Sequence, residues 1–279
     1  MSKVKIVTDS SCNMEPGLAE KLNIEVISLS VMIDDVIYKD TDISGSQFMT
    51  MMENAAALPK TSQPPIGEFV QLYDELGADG SSIISIHMTD LISGTVNTAA
   101  QAAQLSTSDV TVINSTFTDQ GLSFQVIEAA KMALDGLSKE TIIEKVQEIK
   151  KNSLLYIGVA SLDNMVKGGR LSRATGVLTN LFNIRVVMQL LDSELVTLSK
   201  GRGAKAFSKW FEELKADLAK MNNVKQVAIT HAADIDLANK FKKDLQAMYP
   251  DMHIPILDAS SIIATHTGKG AFAIMLYTE

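Results

Sequence analysis

The stretch Ser81–Ala103 (SSIISIHMTDLISGTVNTAAQAA) constrains the fold more than any other. It opens as an apolar β run at Ile83-Ile84-Ser85-Ile86, breaks at Thr89-Asp90, and resumes as an Ala-rich helix from about Val96. Between them lies Ser93-Gly94-Thr95, two hydroxyls flanking a glycine where the helix starts. Helix N-termini expose unpaired N–H groups and a positive partial charge, so an anion can sit there without a lysine or arginine. For an isolated Ser-Gly-Thr, simple capping by Ser93 is the plainer reading. A binding site requires other polar groups to converge on the same point.

Strand and helix signals alternate along the first half. Val4–Asp9 reads as a buried strand ending in Asp9-Ser10-Ser11, followed by a helix with Pro16 near its first turn. Ile24–Leu29 is the next strand, and Val31–Ile33 with Val36–Tyr38 forms a hairpin around Asp34-Asp35. Ser44 and Gln47 make a capping box for a helix to about Asn54. Lys60–Pro65 reads as a rigid turn into a helix that aligns Phe69, Leu72, Tyr73 and Leu76 on one face. A strand at Val110–Asn114 and helices around Gly121–Leu134 and from Ser138 complete the half. Such alternation implies a parallel α/β sheet, with ligands beyond the carboxyl ends of its strands. Asp9-Ser10 and Ser93-Gly94-Thr95 both fall at such ends.

After Lys151–Leu154 the pattern changes. Leu155–Ala160 reads as a strand, Leu162–Arg170 as a short helix, and Val186–Leu191 with Glu194–Ser199 as a hairpin. An amphipathic helix, Lys205–Met221, follows; then strand Val224–Thr230, helix Asp234–Met248, and strands Ile254–Leu257 and Phe272–Tyr277. Adjacent strands indicate a mixed sheet. We therefore expect two α/β domains: 1–153 with a parallel sheet layered by helices, and 154–279 as a two-layer mixed-sheet domain, with a ligand between them.

An apolar fraction of 46% and a charged fraction of 21% suit a globular protein, and a net charge of −8 argues against nucleic-acid binding. The charge is uneven, because Asn164–Lys209 holds eight cations against Asp192 and Glu194. A solvated face is the ordinary explanation; a specific anionic partner is the sharper one. Cys12 is the sole cysteine, which excludes an internal disulfide and suits a reducing compartment. The N-terminus lacks a signal-peptide core and no apolar run approaches the roughly 20 residues of a membrane span, so a cytoplasmic monomer is expected.

Most catalytic chemistries are excluded. No G-x-G-x-x-G follows a strand, and Gly268-Lys269-Gly270 lacks the first glycine of a phosphate loop, since position 263 is Ile. Asp9-Ser10-Ser11 lacks the second carboxylate of aspartyl-phosphate enzymes. His87, His231, His253 and His266 stand too far apart for metal-ligand spacing, so no metal or cofactor is expected. His87 and His231 end apolar strands and read as structural; His253 reads as a surface turn residue. His266 sits in the polar segment Thr265-His266-Thr267-Gly268, read as a turn. A lipid hydrolase or acyltransferase with Ser93 as nucleophile and His266 as base stays open, although no G-x-S-x-G elbow supports it.

Five motifs together resemble the DegV family of bacterial fatty-acid-binding proteins: Val7-Thr8-Asp9-Ser10-Ser11, Lys60-Thr61-Ser62-Gln63-Pro64, Ser93-Gly94-Thr95, Lys167-Gly168-Gly169-Arg170 and Thr265-His266-Thr267-Gly268-Lys269-Gly270. They occur in the family's order across nearly the whole chain. Ile113-Asn114-Ser115 departs from it, since the family usually carries an acid at the middle position. The resemblance implies a long-chain fatty acid held between two domains. It also implies a non-catalytic carrier role, in which the bound carboxylate is presented to the separate catalytic subunit of an ATP-dependent fatty acid kinase and acyl phosphate is passed to phospholipid synthesis. Carried over by motif, Thr61, Ser62, Ser93, Gly94, Thr95, His266, Thr267 and Gly268 would surround the carboxylate, and Arg170, Arg173 and Arg202 would face the kinase.

Hydroxyls, a helix N-terminus and one histidine can hold a carboxylate without burying an ion pair, and a titrating His266 could accommodate the extra charge of acyl phosphate. The hydrocarbon needs enclosure, because a sixteen-carbon tail gains roughly 10 kcal/mol at about 0.8 kcal/mol per CH₂ before binding costs. Candidate lining residues are Val177, Leu178, Leu181, Phe182, Ile262, Ile263 and Phe272. Ordinary core packing is the competing reading for each.

Overall fold

The computed structural model describes residues 3–175, 184–192, 194–203, 205–221 and 223–279, with Arg173 and Thr175 described through the backbone alone. Val177, Leu178, Leu181 and Phe182 lie outside the described residues.

The first half contains β1 (Val4–Asp9), α1 (Leu18–Lys21), β2 (Ile24–Ile27), β3 (Ser30–Ile33), β4 (Val36–Lys39), α2 (Gly45–Asn54), β5 (Lys60–Ser62), α3 (Ile66–Gly77), β6 (Ser82–His87), α4 (Thr95–Leu105), β7 (Val110–Asn114), α5 (Asp119–Leu134) and α6 (Lys139–Lys151). The second contains β8 (Ser153–Val159), α7 (Asp163–Lys167), β9 (Ala174–Thr175), β10 (Arg185–Leu190), β11 (Leu195–Gly201), α8 (Lys205–Leu218), β12 (Val224–His231), α9 (Ile235–Met248), β13 (Ile256–Asp258), α10 (Ser261–Thr267) and β14 (Phe272–Thr278).

A four-stranded parallel sheet runs in the order β2-β1-β6-β7. Every residue of β6 is buried, as expected of a central parallel strand covered on both faces. Ile6, Ile84 and Ile86 pack against Leu122 and Val126 of α5 and Ile142 and Val146 of α6. Val7 and Ile83 meet Phe69 and Tyr73 of α3 and Ala99 and Ala102 of α4 on the other side.

The mixed sheet runs β13-β12-β14-β8-β10-β11-β9, with β12–β13 and β11–β9 parallel and the remaining pairs antiparallel. Its outer face is sealed by α8 and α9, whose Phe207, Trp210, Phe211, Phe241 and Leu245 pack on Tyr156, Val187, Ile229 and Ile274. The Phe272 ring is wedged there against Phe207, Trp210 and Phe241, over the bare Cα of Gly158. Its inner face takes α5, which also packs on β1, so one helix is a wall common to both sheets. Residues Asp119 to Val126 are accordingly all buried.

Two expected loops have regular structure. Lys60–Ser62 is a strand, because its backbone finds partners in β3 (Ser30 opposite Ser62, Met32 opposite Lys60) and completes a small antiparallel sheet, β4-β3-β5. The segment around His266 is the helix α10, capped by the Ser260 side chain on Ile263 N. The buried Asp40 carboxylate anchors its first turn by accepting from Ser261 Oγ and Ile262 N. The capping box at Ser44 and Gln47 forms as expected, and the Ser138 side chain caps α6.

A methyl group on Gly158 would meet the Phe272 ring, which has no free direction to retreat. Gly158→Ala should cost about 1–3 kcal/mol of unfolding free energy by overpacking. The control Gly67→Ala, in an exposed turn of α3 with open space around it, should gain about 0.5–1 kcal/mol. Urea unfolding of both variants checks the pair.

Candidate functional site

A cavity of about 320 Å³ lies under the inner face of the mixed sheet, within the range of small-molecule sites. Its floor is built by strand register. Thr230, Ala273 and Ile157 stand side by side on β12, β14 and β8, and Leu155 and Leu190 pair in the next inward-facing row. Met165 of α7 and Ile262 and Ile263 of α10 add to the apolar lining. Phe272 also reaches the wall, although its ring belongs to the outer aromatic cluster.

One end of the cavity is polar and gathers residues of four of the five sequence motifs, Arg170 among them. Thr61 and Ser62 come from β5, Ser93 and Gly94 from the turn into α4, and His266 and Thr267 from α10. Thr61 Oγ1 and His266 Nε2 are hydrogen-bonded at 2.9 Å, joining the small antiparallel sheet to α10. Ser93 Oγ and Thr95 Oγ1 are bonded at 2.8 Å, and Thr95 N donates to Ser93 Oγ at 3.3 Å. Thr95 is buried behind this rim and Gly268 beside Asn164, so neither reaches the cavity wall. Gly94 is the helix N-cap and carries no side chain because Gln63 Oε1 occupies the space a Cβ would need. Gln63 lines the cavity and donates its amide to Thr98 of α4, which pins β5 to that helix start. It stands inside a motif noticed in the sequence, yet only the close approach to Gly94 reveals its part.

Arg170 is half-buried and lines the cavity, donating Nε to Ile92 O at 3.2 Å and Nη1 to Gly168 O at 2.7 Å. It brings a cation to a rim expected to consist of uncharged donors. Arg202 is exposed in the turn before α8; Arg173 lies in a short 3₁₀ turn, its side chain outside the described residues.

Burial, with the Arg170 guanidinium nearby, pulls the His266 imidazole down to about 4. Desolvation thus favours the uncharged ring near pH 7. Its Nδ1 has no partner among the described residues. Ser93 Oγ is engaged with Thr95 and His266 Nε2 with Thr61, so the two do not form a nucleophile–base pair.

A second polar group, unforeseen in the sequence, lies at the start of α5. Thr118, Asp119, Thr230 and His231 line the cavity. Asp119 Oδ1 accepts from Gln120 N at 2.9 Å and Thr230 Oγ1 at 3.0 Å. Its Oδ2 and Thr118 Oγ1 have no partner among the described residues. Burial pushes the Asp119 carboxyl up to about 6, against the opposing pull of Thr230, Asn13 and the Gln120 amide.

The other titratable residues singled out in the sequence have neighbours of their own. Asp9 is fully buried and accepts from Ser11 N, Ser11 Oγ, Met88 N and His87 Nδ1. The chain continues from His87 Nε2 to Ser85 Oγ and on to Tyr73 OH. Burial pushes the Cys12 thiol up to about 12. His231 Nε2 lies 3.5 Å from Asp258, and exposed His253 meets Glu15 at 3.1 Å. No group of three or more possible metal ligands occurs among the described residues, and no described helix is long and apolar enough to cross a membrane.

Asp119 generates a pH prediction. Its folded pKa lies above the unfolded value, so the native state binds the extra proton and stability falls as pH rises from about 4 to about 6. Asp119→Asn keeps the Oδ1 acceptor and removes this slope. The unfolding free energy of the variant relative to wild type should rise by about 2 kcal/mol between pH 4 and pH 7, measured by urea titration at both.

The comparisons agree with this architecture. Residues 3–279 match the family model described as "Uncharacterised protein, DegV family". A DegV domain-containing protein of Streptococcus pneumoniae serotype 4 is 49% identical over 277 residues, covering 99% of each chain. The crystal structure of DegV, a fatty acid binding protein from Bacillus subtilis, is 31% identical, covers 100% of both chains and superposes with a TM-score of 0.90. The Streptococcus pneumoniae fatty acid kinase B3 protein, solved loaded with linoleic acid, shares the fold at 22% identity and a TM-score of 0.84, covering 100% of both chains. Coverage of almost the entire length by the family model and the 49% identical relative makes this chain a member of the DegV family.

Proposed function

We propose that this protein binds one long-chain fatty acid in the cavity under the mixed sheet and presents its carboxylate, without catalysis of its own, to a separate ATP-dependent fatty acid kinase subunit. Residues 1–153 and 154–279 act as the two domains that enclose the ligand. The observation that carries the reading is the cavity's polarity: an apolar floor of Leu155, Ile157, Leu190 and Ala273 ends at a rim of Thr61, Ser62, Ser93, Gly94, His266 and Thr267. The B. subtilis relative, 31% identical, is described as a fatty acid binding protein.

Such a rim suits a carrier. The hydroxyls donate hydrogen bonds to the carboxylate, and the N-terminus of α4 adds its partial positive charge. Arg170 supplies a formal cation, already shared with two carbonyls, so it offsets the ligand's charge without clamping it. The tail provides most of the affinity and the rim its orientation. The kinase link draws on the fatty acid kinase B3 likeness and on exposed Arg202 in a basic segment, a surface suited to an acidic partner.

Organic extraction of freshly purified protein, followed by mass spectrometry, should release a long-chain fatty acid in a ratio approaching one per chain; its absence, together with no binding of added stearate, would overturn the reading. With a fatty acid kinase subunit and ATP, Arg173→Glu and Arg202→Glu should each abolish acyl phosphate formation while retaining bound lipid. Loss of lipid along with phosphorylation would instead indicate misfolding.

A further inference from the structure

The small antiparallel sheet β4-β3-β5 leaves β4 at its edge, hydrogen-bonded to β3 on one side. An open edge strand offers a row of unpaired N–H and C=O groups, which proteins usually blunt with charge or proline. The middle of β4 is apolar instead. Val36 is 51% exposed and Ile37 is 70% exposed, the highest value for a large apolar side chain among the described residues. Charge stands only at the two ends, in exposed Asp35 before the strand and exposed Lys39 at its close. Neither makes an ion pair among the described residues. Asp34 and Asp35 have positive φ, 47° and 66°, as in the type I′ turn that joins Ile33 to Val36. The pair flanking such a turn is hydrogen-bonded and the pattern alternates along the strands. Val36 and Tyr38 therefore bond inward to β3, and the N–H and C=O of Ile37 point out of the sheet.

We propose that a second copy of this chain pairs antiparallel with β4 across a two-fold axis at Ile37, joining two small sheets into one of six strands. The outward groups set the register. Ile37 faces Ile37 of the second copy and the two exchange both backbone hydrogen bonds. Val36 then meets Tyr38 of the second copy, and Asp35 meets its Lys39, each pair occurring twice by symmetry. A β-branched residue beside an aromatic one, and opposite charges face to face, are the cross-strand pairs that stabilise sheets. A slip by two residues sets Ile37 against Lys39 or Asp35 and breaks both charge pairs, and in-register parallel pairing aligns like charges. A lysine on an edge ordinarily repels a neighbouring chain; in the two-fold register it meets an acid. Because β5 of the same sheet carries Thr61 and Ser62, the pairing makes the two cavity rims parts of one continuous sheet. A strand of four residues buries little area, so the dimer is weak and forms at high protein concentration. The inference stands apart from the fatty-acid reading and departs from the monomer expected from the sequence.

The test is sedimentation velocity of the full chain over a concentration series reaching millimolar protein, which should show a monomer–dimer equilibrium. Ile37→Lys replaces an exposed side chain and sets two ammonium groups on the axis, so it should raise the dimer Kd about tenfold or more. Lys39→Glu and Asp35→Lys should each raise it as far, because each places like charges face to face. Mixing those two variants should restore association, since every facing charge pair is then opposite; recovery in the mixture separates a lost contact from lost folding. If Asp35→Lys fails to fold because of its left-handed backbone, Ile37→Lys still decides. Sedimentation that stays monomeric at every concentration, a dimer whose Kd is unchanged in Ile37→Lys, or two folded charge variants that do not associate on mixing would each overturn the proposal.

Discussion

The inner face of the mixed sheet presents apolar rows, with Ala228, Met275, Leu155, Leu190 and Leu195 in one and Ala273, Ile157 and Met188 in the next. Helix α5 covers part of this surface, and α7 and α10 approach the remainder, leaving the cavity between them. Close packing would recover dispersion energy, so a hollow lined with leucine and isoleucine sacrifices stability that the fold must find elsewhere. It finds it on the opposite face, where Phe207, Trp210, Phe241 and Phe272 make a dense aromatic layer. The sheet is firm behind and open in front.

The parallel sheet has a complementary task. Its strand ends carry loops, and those loops supply polar groups to the hollow. Holding such loops in place requires rigid ends. The buried run from Asp9 through His87 and Ser85 to Tyr73 links β1, β6 and α3. Helix α5 transmits this rigidity to the second sheet, since Gln120 donates across to β12 while its backbone packs beneath β1. The cavity wall is therefore braced from both halves of the chain.

Much of this was legible in the sequence. The apolar run Ile83–Ile86 and the Ser44–Gln47 capping box announce their elements because each depends on neighbours a few residues away. Thr61, Ser93 and His266 were legible as one site only through motif order, since no local pattern places residues so distant in sequence on one rim. Lys60–Ser62 was misread as a turn because its two prolines follow directly, whereas its pairing with β3 is non-local. Thr118 and Asp119 left no signal. A threonine and an aspartate before a helix look like ordinary capping residues, and their burial depends on a second sheet closing over them.

Arg170 has a mechanical consequence. Its guanidinium is fastened to the carbonyl of Ile92, one residue ahead of Ser93, and to that of Gly168 at the end of α7. The chain leaves Arg170 directly into Leu171–Arg173, within the basic segment. Any protein that grips this surface and shifts it by an ångström drags the tether with it. The loop that carries Ser93 is thus strung to the exterior through the Arg170 side chain, and force applied outside arrives at the serine within.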